Sequence, residues 1–193
     1  MTSTKAASAV VARAGYLARR RRHLYDRIIR VNLAGELGAD RIYAGQMAVL
    51  RQTDVGPVVQ HMWDQEKKHL AKFEHLSLKH RVPQSLFSSA WSAGGFIMGA
   101  TSALINKKAA MACTVAVEKV ITEHYDSQIR KLYEDDPEIH KEMIETISEF
   151  RDEEQEHHDT GISHDAEQAP FYRVLSKVTE NVCRVAIKIA ERV

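Results

Sequence analysis

Four stretches of this chain space apolar residues at alternating steps of three and four, the seam of a packed helical bundle. Each seam carries a glutamate where the pattern calls for leucine. The first reads Ile29, Leu33, Glu36, Asp40, Tyr43, Met47, Leu50, and the second Val55, Val59, Met62, Glu66, His69, Phe73, Leu76. Later come Met111, Thr114, Glu118, Ile121, Tyr125, Ile129, Leu132, and Met143, Ile147, Phe150, Glu154, His157, Gly161. None of the four contains a lysine or arginine. Buried carboxylates without a partner are very costly, so these four must be protonated, bridged by cations or exposed.

No alternating run is long enough for a sheet, and the fold class is all-α. Pro57 behind Thr53-Asp54 and Pro137 behind Asp135-Asp136 read as first-turn prolines, while Gly161 and Pro170 punctuate the last stretch. Expected helices cover residues 24–51, 57–80, 84–105, 109–133, 137–160 and 170–192. At 193 residues, 44% of them hydrophobic, the chain supports one domain with a substantial core. Its two cysteines, Cys113 and Cys183, form no C-x-x-C pair and read as small core residues, which excludes a disulfide scaffold and a thiolate zinc site.

The net charge of +1 hides an asymmetry. Residues 1–25 hold six basic residues (Lys5, Arg13, Arg19, Arg20, Arg21, Arg22) and no acid, leaving a body of net −5. An Arg-, Ala- and Ser-rich, acid-free start reads as an organelle import sequence or a basic tail, and Arg13 interrupts the apolar run of a secretory signal. The division is a basic segment at 1–23 followed by one domain at 24–193. With no basic stripe or base-stacking motif on an acidic body, nucleic-acid binding is not indicated.

His69 and His157 follow Glu66 and Glu154 by three residues, about 300° around a helix, so each pair shares a face. With 16 Glu and 10 His, about 0.8 such matches are expected by chance. Both extend to D-x-E-x-x-H, as Asp64-Glu66-His69 and Asp152-Glu154-His157, and the two aspartates are candidates to orient the histidines. Glu36-Tyr43-Gln46 and Glu118-Tyr125-Gln128 repeat a second pattern, E-x6-Y-x2-Q. The chain therefore reads as a duplicated helical hairpin, each half giving one lone Glu and one Glu/His pair. Four carboxylates and two imidazoles balance two divalent cations, and hard oxygen donors with imidazole suit iron or manganese. This set, a Glu from each of two helices and Glu-x-x-His from two others, is that of ferritin-like di-iron bundles. One spacing is uneven: with hairpin tips at Asp54 and Asp136, the first hairpin is about 9 Å off level.

Glu153, Glu156, His158 and Ser163-His164-Asp165 read as exposed polar residues, and Tyr43 and Tyr125 as core aromatics, with hydrogen bonding or electron relay as the alternative. Between Arg81 and Lys107 lie 25 uncharged residues, including Trp91, Phe96 and Ile97. Rich in Ser and Gly and opened by Pro83, they read as a helix lying in a membrane interface or covering an apolar tunnel. A buried bundle or dimer helix is the alternative, and it leaves a homo-oligomer open. Gly95 and Gly99 form a G-x-x-x-G pair suited to close helix packing.

The strings RIYAGQMAVL (41–50), MWDQEKKHL (62–70), AMACTVAVE (110–118) and FRDEEQEHHDTGISHDAE (150–167) resemble the demethoxyubiquinone hydroxylase family, and the similarity covers nearly all of residues 24–193. The resemblance implies a ferritin-like four-helix bundle with an additional interfacial helix and a C-terminal helix. It implies a di-iron monooxygenase that uses NADH and O2 to hydroxylate the ring of a polyprenylated quinone precursor. It also implies a peripheral place on the matrix side of the mitochondrial inner membrane, beside a lipid-binding partner protein of the same pathway. Glu36, Glu66, His69, Glu118, Glu154 and His157 match the family's catalytic iron ligands, with Glu66 and Glu154 as bridges. Arg27 and Arg192 resemble positions that could meet a phosphate-bearing electron donor, and Lys188, a third candidate contact, replaces a residue usually aromatic in the family. Asn32-Leu33 stand where the family usually has Asp-His, and Lys119 where it has an acid. Two rival readings share features of the chain: a ferritin-type iron-oxidising store, and a non-catalytic helical adaptor of a lipid-synthesis complex.

Overall fold

A computed structural model describes the backbone of residues 2–193 and the side chains of residues 13–193; Lys5 of the basic segment falls outside the described side chains. The helices are α1 (Thr2–Leu50), α2 (Gly56–His80), α3 (Ser88–Ile105), α4 (Lys107–Asp135), α5 (Lys141–Ser163) and α6 (Tyr172–Ala190), with a short 3-10 turn at Ala166–Gln168. No strand occurs among the described residues. The all-α expectation holds, and α1–α2 and α4–α5 are the two hairpins of the bundle.

The duplication extends further than the hairpins. After the first hairpin α3 packs back along α1, and after the second α6 packs back along α4. Each half is thus a three-helix unit whose third helix covers the first. The α1–α3 contact is a backbone-to-backbone crossing: a Cβ at Gly99 would strike the Ile42 backbone, one at Gly45 that of Phe96, and one at Gly95 the Gly38 carbonyl. The G-x-x-x-G pair therefore serves packing within the chain.

The helix ends follow local chemistry. Arg81, in left-handed backbone at φ 55°, ends α2, with Val82 N–H bonded to the Ser77 carbonyl at 2.9 Å and Val82 buried beside it. Asn106 alone joins α3 to α4, its side chain accepting from Ala109 N–H at 2.8 Å. Pro57 does open α2, but Val55 is the residue ahead of the helix, while Asp54 pairs with Lys107 and Thr53 donates back to Leu50. Residues 137–140 form a turn, which delays α5 to Lys141. Gly161 lies inside α5 rather than ending it, because a Cβ there would strike Val115 of α4.

The first helix starts at Thr2 instead of residue 24. Ala and Arg are strong helix formers, so the basic composition that reads as a tail also extends a helix. Its side chains find partners at the α4–α5 tip: Arg21 donates to Asp135 at 2.8 Å and Asp136 at 3.1 Å, and His140 joins Asp135 to the Tyr25 hydroxyl.

The uneven hairpin spacing disappears once the helix ends are placed. Glu36 stands 14 residues before the end of α1 and Glu66 10 after the start of α2. Glu118 and Glu154 stand 17 and 13 residues from the corresponding ends of α4 and α5. Both hairpins share the same four-residue offset, so it is part of the repeated design.

Candidate metal centre

The six candidate ligands meet at the centre of the bundle, and all are at most 1% exposed. Glu36 comes from α1, Glu66 and His69 from α2, Glu118 from α4, and Glu154 and His157 from α5. They form two overlapping groups, Glu36–Glu66–His69–Glu154 and Glu66–Glu118–Glu154–His157, whose nearest donor atoms all lie within 4.8 Å of one another. Glu66 and Glu154 belong to both groups, the place of bridging carboxylates. His69 Nδ1 faces Glu154 at 3.1 Å and Glu36 at 3.6 Å; His157 Nδ1 faces Glu66 at 3.1 Å and Glu154 at 3.3 Å.

A pseudo-twofold relation runs through the centre, and its hydrogen bonds cross from one half to the other. Tyr43 of the first half donates to Glu118 Oε1 of the second at 2.8 Å, and Tyr125 donates to Glu36 Oε1. Gln46 donates to Thr114 at 3.2 Å, one turn before Glu118, while Gln128 and Asn32, one turn before Glu36, exchange bonds of 2.7 and 2.8 Å. The two tyrosines are buried as core aromatics and also take the alternative role of hydrogen bonding, fixing one oxygen of each lone glutamate. Each of those glutamates keeps its other oxygen, Oε2, without a hydrogen bond.

Asp64 and Asp152 do not orient the histidines. Asp64 is held by Gln60 and Lys67 on the surface and Asp152 by Arg151, because a residue two positions before a seam glutamate lies about 200° around the helix. The partners are Glu153 and Gln65, each immediately before a bridging glutamate and again across the halves. His69 Nε2 meets Glu153 Oε2 at 2.5 Å, and His157 Nε2 meets Gln65 Oε1 at 3.1 Å. Glu153, expected on the surface, is only partly exposed. Phe150 stacks on the His69 ring at 4.0 Å between centroids.

The electrostatics show what the centre lacks. Burial and the facing Glu154 push the Glu66 carboxyl up to about 8, and the same two causes carry Glu118 well above the usual range. Burial works against charge on His69 and His157, but their carboxylate contacts raise them to about 12 and about 11. Burial likewise opposes charge on Glu154, yet bonds from both histidines hold it at about 2. Without metal, protons on the imidazoles supply the positive charge that no lysine or arginine brings. Asp40, the other acid in the first seam, is paired separately with Arg41 and accepts a hydrogen bond from the Trp63 indole N–H at 2.7 Å. Among the described residues, nine buried side-chain atoms have no hydrogen bond, and six of them belong to Glu36, Glu66, Glu118, Glu154 and His157. Orphaned oxygen and nitrogen donors converging on two adjacent points fit a pair of divalent cations.

A cavity of about 240 Å³ is bounded by α1, α3, α4 and α6, and none of the six candidate ligands lines it. Gly35 and Ala39 beside Glu36, and Val117 and Ile121 beside Glu118, form its inner wall; Trp91, Met98, Cys183 and Ile187 close it from α3 and α6. The cavity thus shares α1 and α4 with the two lone glutamates. Of the two cysteines, Cys113 is buried as expected, whereas Cys183 is half-buried at this wall.

The match to the family described as ubiquinone biosynthesis protein COQ7 covers residues 23–190. The chain belongs to this family. It is 58% identical over 167 residues to the NADPH-dependent 3-demethoxyubiquinone 3-hydroxylase, mitochondrial, of Homo sapiens, spanning 86% of this chain and 77% of that protein. It is 49% identical over 181 residues to the 5-demethoxyubiquinone hydroxylase, mitochondrial, of Saccharomyces cerevisiae, spanning 87% and 78%. The 3-demethoxyubiquinol 3-hydroxylase of Rhodospirillum rubrum is 45% identical over 172 residues, spanning 88% and 79%. The bundle and its duplicated centre are therefore the fold of a COQ7 protein.

The three positions that the sequence resemblance marks as departures have partners other than the six donors. Asn32 forms the amide pair with Gln128, Leu33 packs in the core with Phe73 and Tyr125, and Lys119 reaches out to Glu180 of α6 at 2.9 Å. Arg27, Lys188 and Arg192 are exposed. Lys188 and Arg192 stand at the C-terminal end of α6, whose Ala190 and Glu191 carbonyls accept from Arg30, one turn from Arg27.

Proposed function

We propose that this protein is a di-iron monooxygenase carrying out the demethoxyubiquinone hydroxylation step of ubiquinone biosynthesis. The hydroxylase names of relatives that share most of the chain support the step. The single observation that carries the chemistry is the set of six buried side-chain atoms, on Glu36, Glu66, Glu118, Glu154 and His157, left without hydrogen-bond partners where these residues converge with His69. Two iron ions, when bound there, would supply the redox chemistry that activates O2.

Glu36, Glu66, His69 and Glu154 would hold one ion, and Glu66, Glu118, Glu154 and His157 the other. Tyr43 and Tyr125 restrain the lone glutamates through one oxygen each, leaving the second free to bind. Glu153 and Gln65 fix the imidazoles with Nδ1 inward. The cavity would take the quinone ring: an apolar cavity of ~150 Å³ already accepts benzene, and this one is larger. Its almost wholly apolar wall excludes water and selects a lipid ring over a polar substrate. A ferritin-type store has no evident use for such a cavity.

Among the described residues no helix is long and apolar enough to cross a membrane. Two surfaces suit a peripheral position instead. On α3, Ile97 and Leu104 are exposed, and α6 presents Val174, Val178, Val182 and Val185 along one stripe. Both helices flank the cavity, so a membrane contact there would let a polyprenyl tail remain in lipid while the ring enters. The stripe on α6 is an interfacial face that the sequence reading confined to 84–105. The relatives named mitochondrial support a mitochondrial setting, with the inner membrane, its matrix side and a lipid-binding partner protein as parts of this proposal. The basic segment 1–23 is read as an import sequence, and processing that preserves the Arg21 ion pairs must cut before Arg21.

The electron donor is a reduced nicotinamide nucleotide. The human relative's name specifies NADPH, where the sequence resemblance implied NADH, and Arg27, Lys188 and Arg192 are its proposed contacts. Iron-loaded protein given demethoxyquinone, isotopically labelled O2 and either nucleotide should place label on the ring. Unlabelled product, or none with both donors, would sink the monooxygenase assignment.

A further inference from the structure

The two halves of the centre repeat the tyrosine bond to each lone glutamate and part at the histidines. Each lone glutamate has its tyrosine, and each tyrosine comes from the opposite half. The two Nε2 atoms, however, meet different groups: a carboxylate on His69 and a carboxamide on His157. At Nδ1 both rings face carboxylates, with only the His69 contact to Glu154 in hydrogen-bond geometry; at Nε2 the chemical kind of the partner itself differs.

We propose that Glu153 and Gln65 make the two metal positions unequal, with the Glu36/His69 position holding a divalent ion more tightly than the Glu118/His157 position. The inference rests on the metal-centre reading. When Nδ1 binds a cation, Nε2 carries the proton and donates outward. A carboxylate accepting that proton draws it away from the ring, makes Nδ1 a stronger donor and adds negative charge near the ion. A carboxamide accepts the bond without the charge. The 2.5 Å and 3.1 Å separations follow the same order, since charge-assisted hydrogen bonds are the shorter ones. Phe150, stacked on His69, holds that ring in the plane the short bond requires.

Partners of this type change metal affinity by roughly 10–100-fold. The Glu153 side chain is 30% exposed, so solvent screening puts the difference near the lower end, about tenfold. Glu153 and Gln65 act through the histidines and are positioning residues.

The test uses the full chain stripped of metal and titrated with Mn(II), whose paramagnetic resonance separates a lone ion from a coupled pair. At one equivalent the lone-ion signal should dominate, and the second equivalent should convert it into the coupled signal. Glu153→Gln should weaken the first step and Gln65→Glu strengthen the second, each lowering the ratio of stepwise constants from about 12 to the statistical value of about 4, roughly threefold. The double variant carrying both changes should restore the ratio, a rescue that a purely structural role would not produce. Stepwise constants at the statistical ratio of two equal positions in the parent would overturn the proposal, as would a ratio unmoved by both single changes. No Mn(II) uptake by the parent would overturn the metal-centre reading and this inference together.

Discussion

Replacing Glu118 by leucine should stabilise the metal-free protein while destroying one metal position. Glu118 is 1% exposed on an apolar seam, its Oε2 has no hydrogen bond, and its carboxyl is pushed well above the usual range. Removing an unsatisfied buried polar group recovers about 1–3 kcal/mol. A leucine adds about 1.5–3 kcal/mol of apolar burial if it packs fully. Against this stand the lost Tyr43 hydrogen bond, about 1–1.5 kcal/mol, and about 1–3 kcal/mol for the stranded hydroxyl and imperfect fit. The balance is about +1 kcal/mol, which in a chain of this length raises Tm by roughly 2–4 °C. Metal reverses the order. Two ions at 100 times their Kd would each add about 2.7 kcal/mol to the parent, whereas the variant keeps only the Glu36/His69 position. Thermal melts with chelator and with Mn(II), together with metal stoichiometry, give both signs. A chelated variant less stable than the chelated parent, or one that still binds two ions, would refute the reasoning.

Gly99→Val drives a side chain into the Ile42 backbone and should cost about 3 kcal/mol or more in urea unfolding, whereas Gly94→Ala, with open space around it, should be neutral or stabilising by about 0.5–1 kcal/mol. Arg21 and His140 hold the Asp135 carboxyl below its usual value, so their contribution is present at neutral pH and fades as pH falls through that lowered value. Arg21→Ala should accordingly be less stable than the parent at pH 7, with the gap closing in the acid range when melts are followed by circular dichroism. Ile97→Asp and Val185→Asp lie on exposed faces and should leave the unfolding free energy within about 0.5 kcal/mol of the parent while weakening cosedimentation with anionic liposomes. Unchanged liposome binding in both would place the membrane contact elsewhere.

The six donors were legible because a carboxylate in a leucine position is so unfavourable that it signals a compensating charge even in one dimension. Helical spacing then put Glu66 with His69 and Glu154 with His157 on common faces. The orienting partners were misread because their bonds run between halves. Asp64 and Asp152 repeat alongside the ligands but point away from them, while Glu153 and Gln65 lie only about 100° from the seam and so reach the neighbouring helix. A shared position directly before each bridging glutamate was the available signal. The N-terminal extension of α1 was hidden for another reason: its basic residues look tail-like until Asp135 and Asp136, more than a hundred residues later, are brought beside Arg21. The cavity needed three dimensions as well, since its wall takes small residues from four helices.

Iron analysis of protein reconstituted anaerobically with Fe(II) and freed of unbound metal tests the central claim most directly. Two iron ions per chain are expected, and none after Glu66 and Glu154, the shared carboxylates, are both replaced by alanine. Iron at zero or one per chain in the parent, or two retained without those carboxylates, would contradict it.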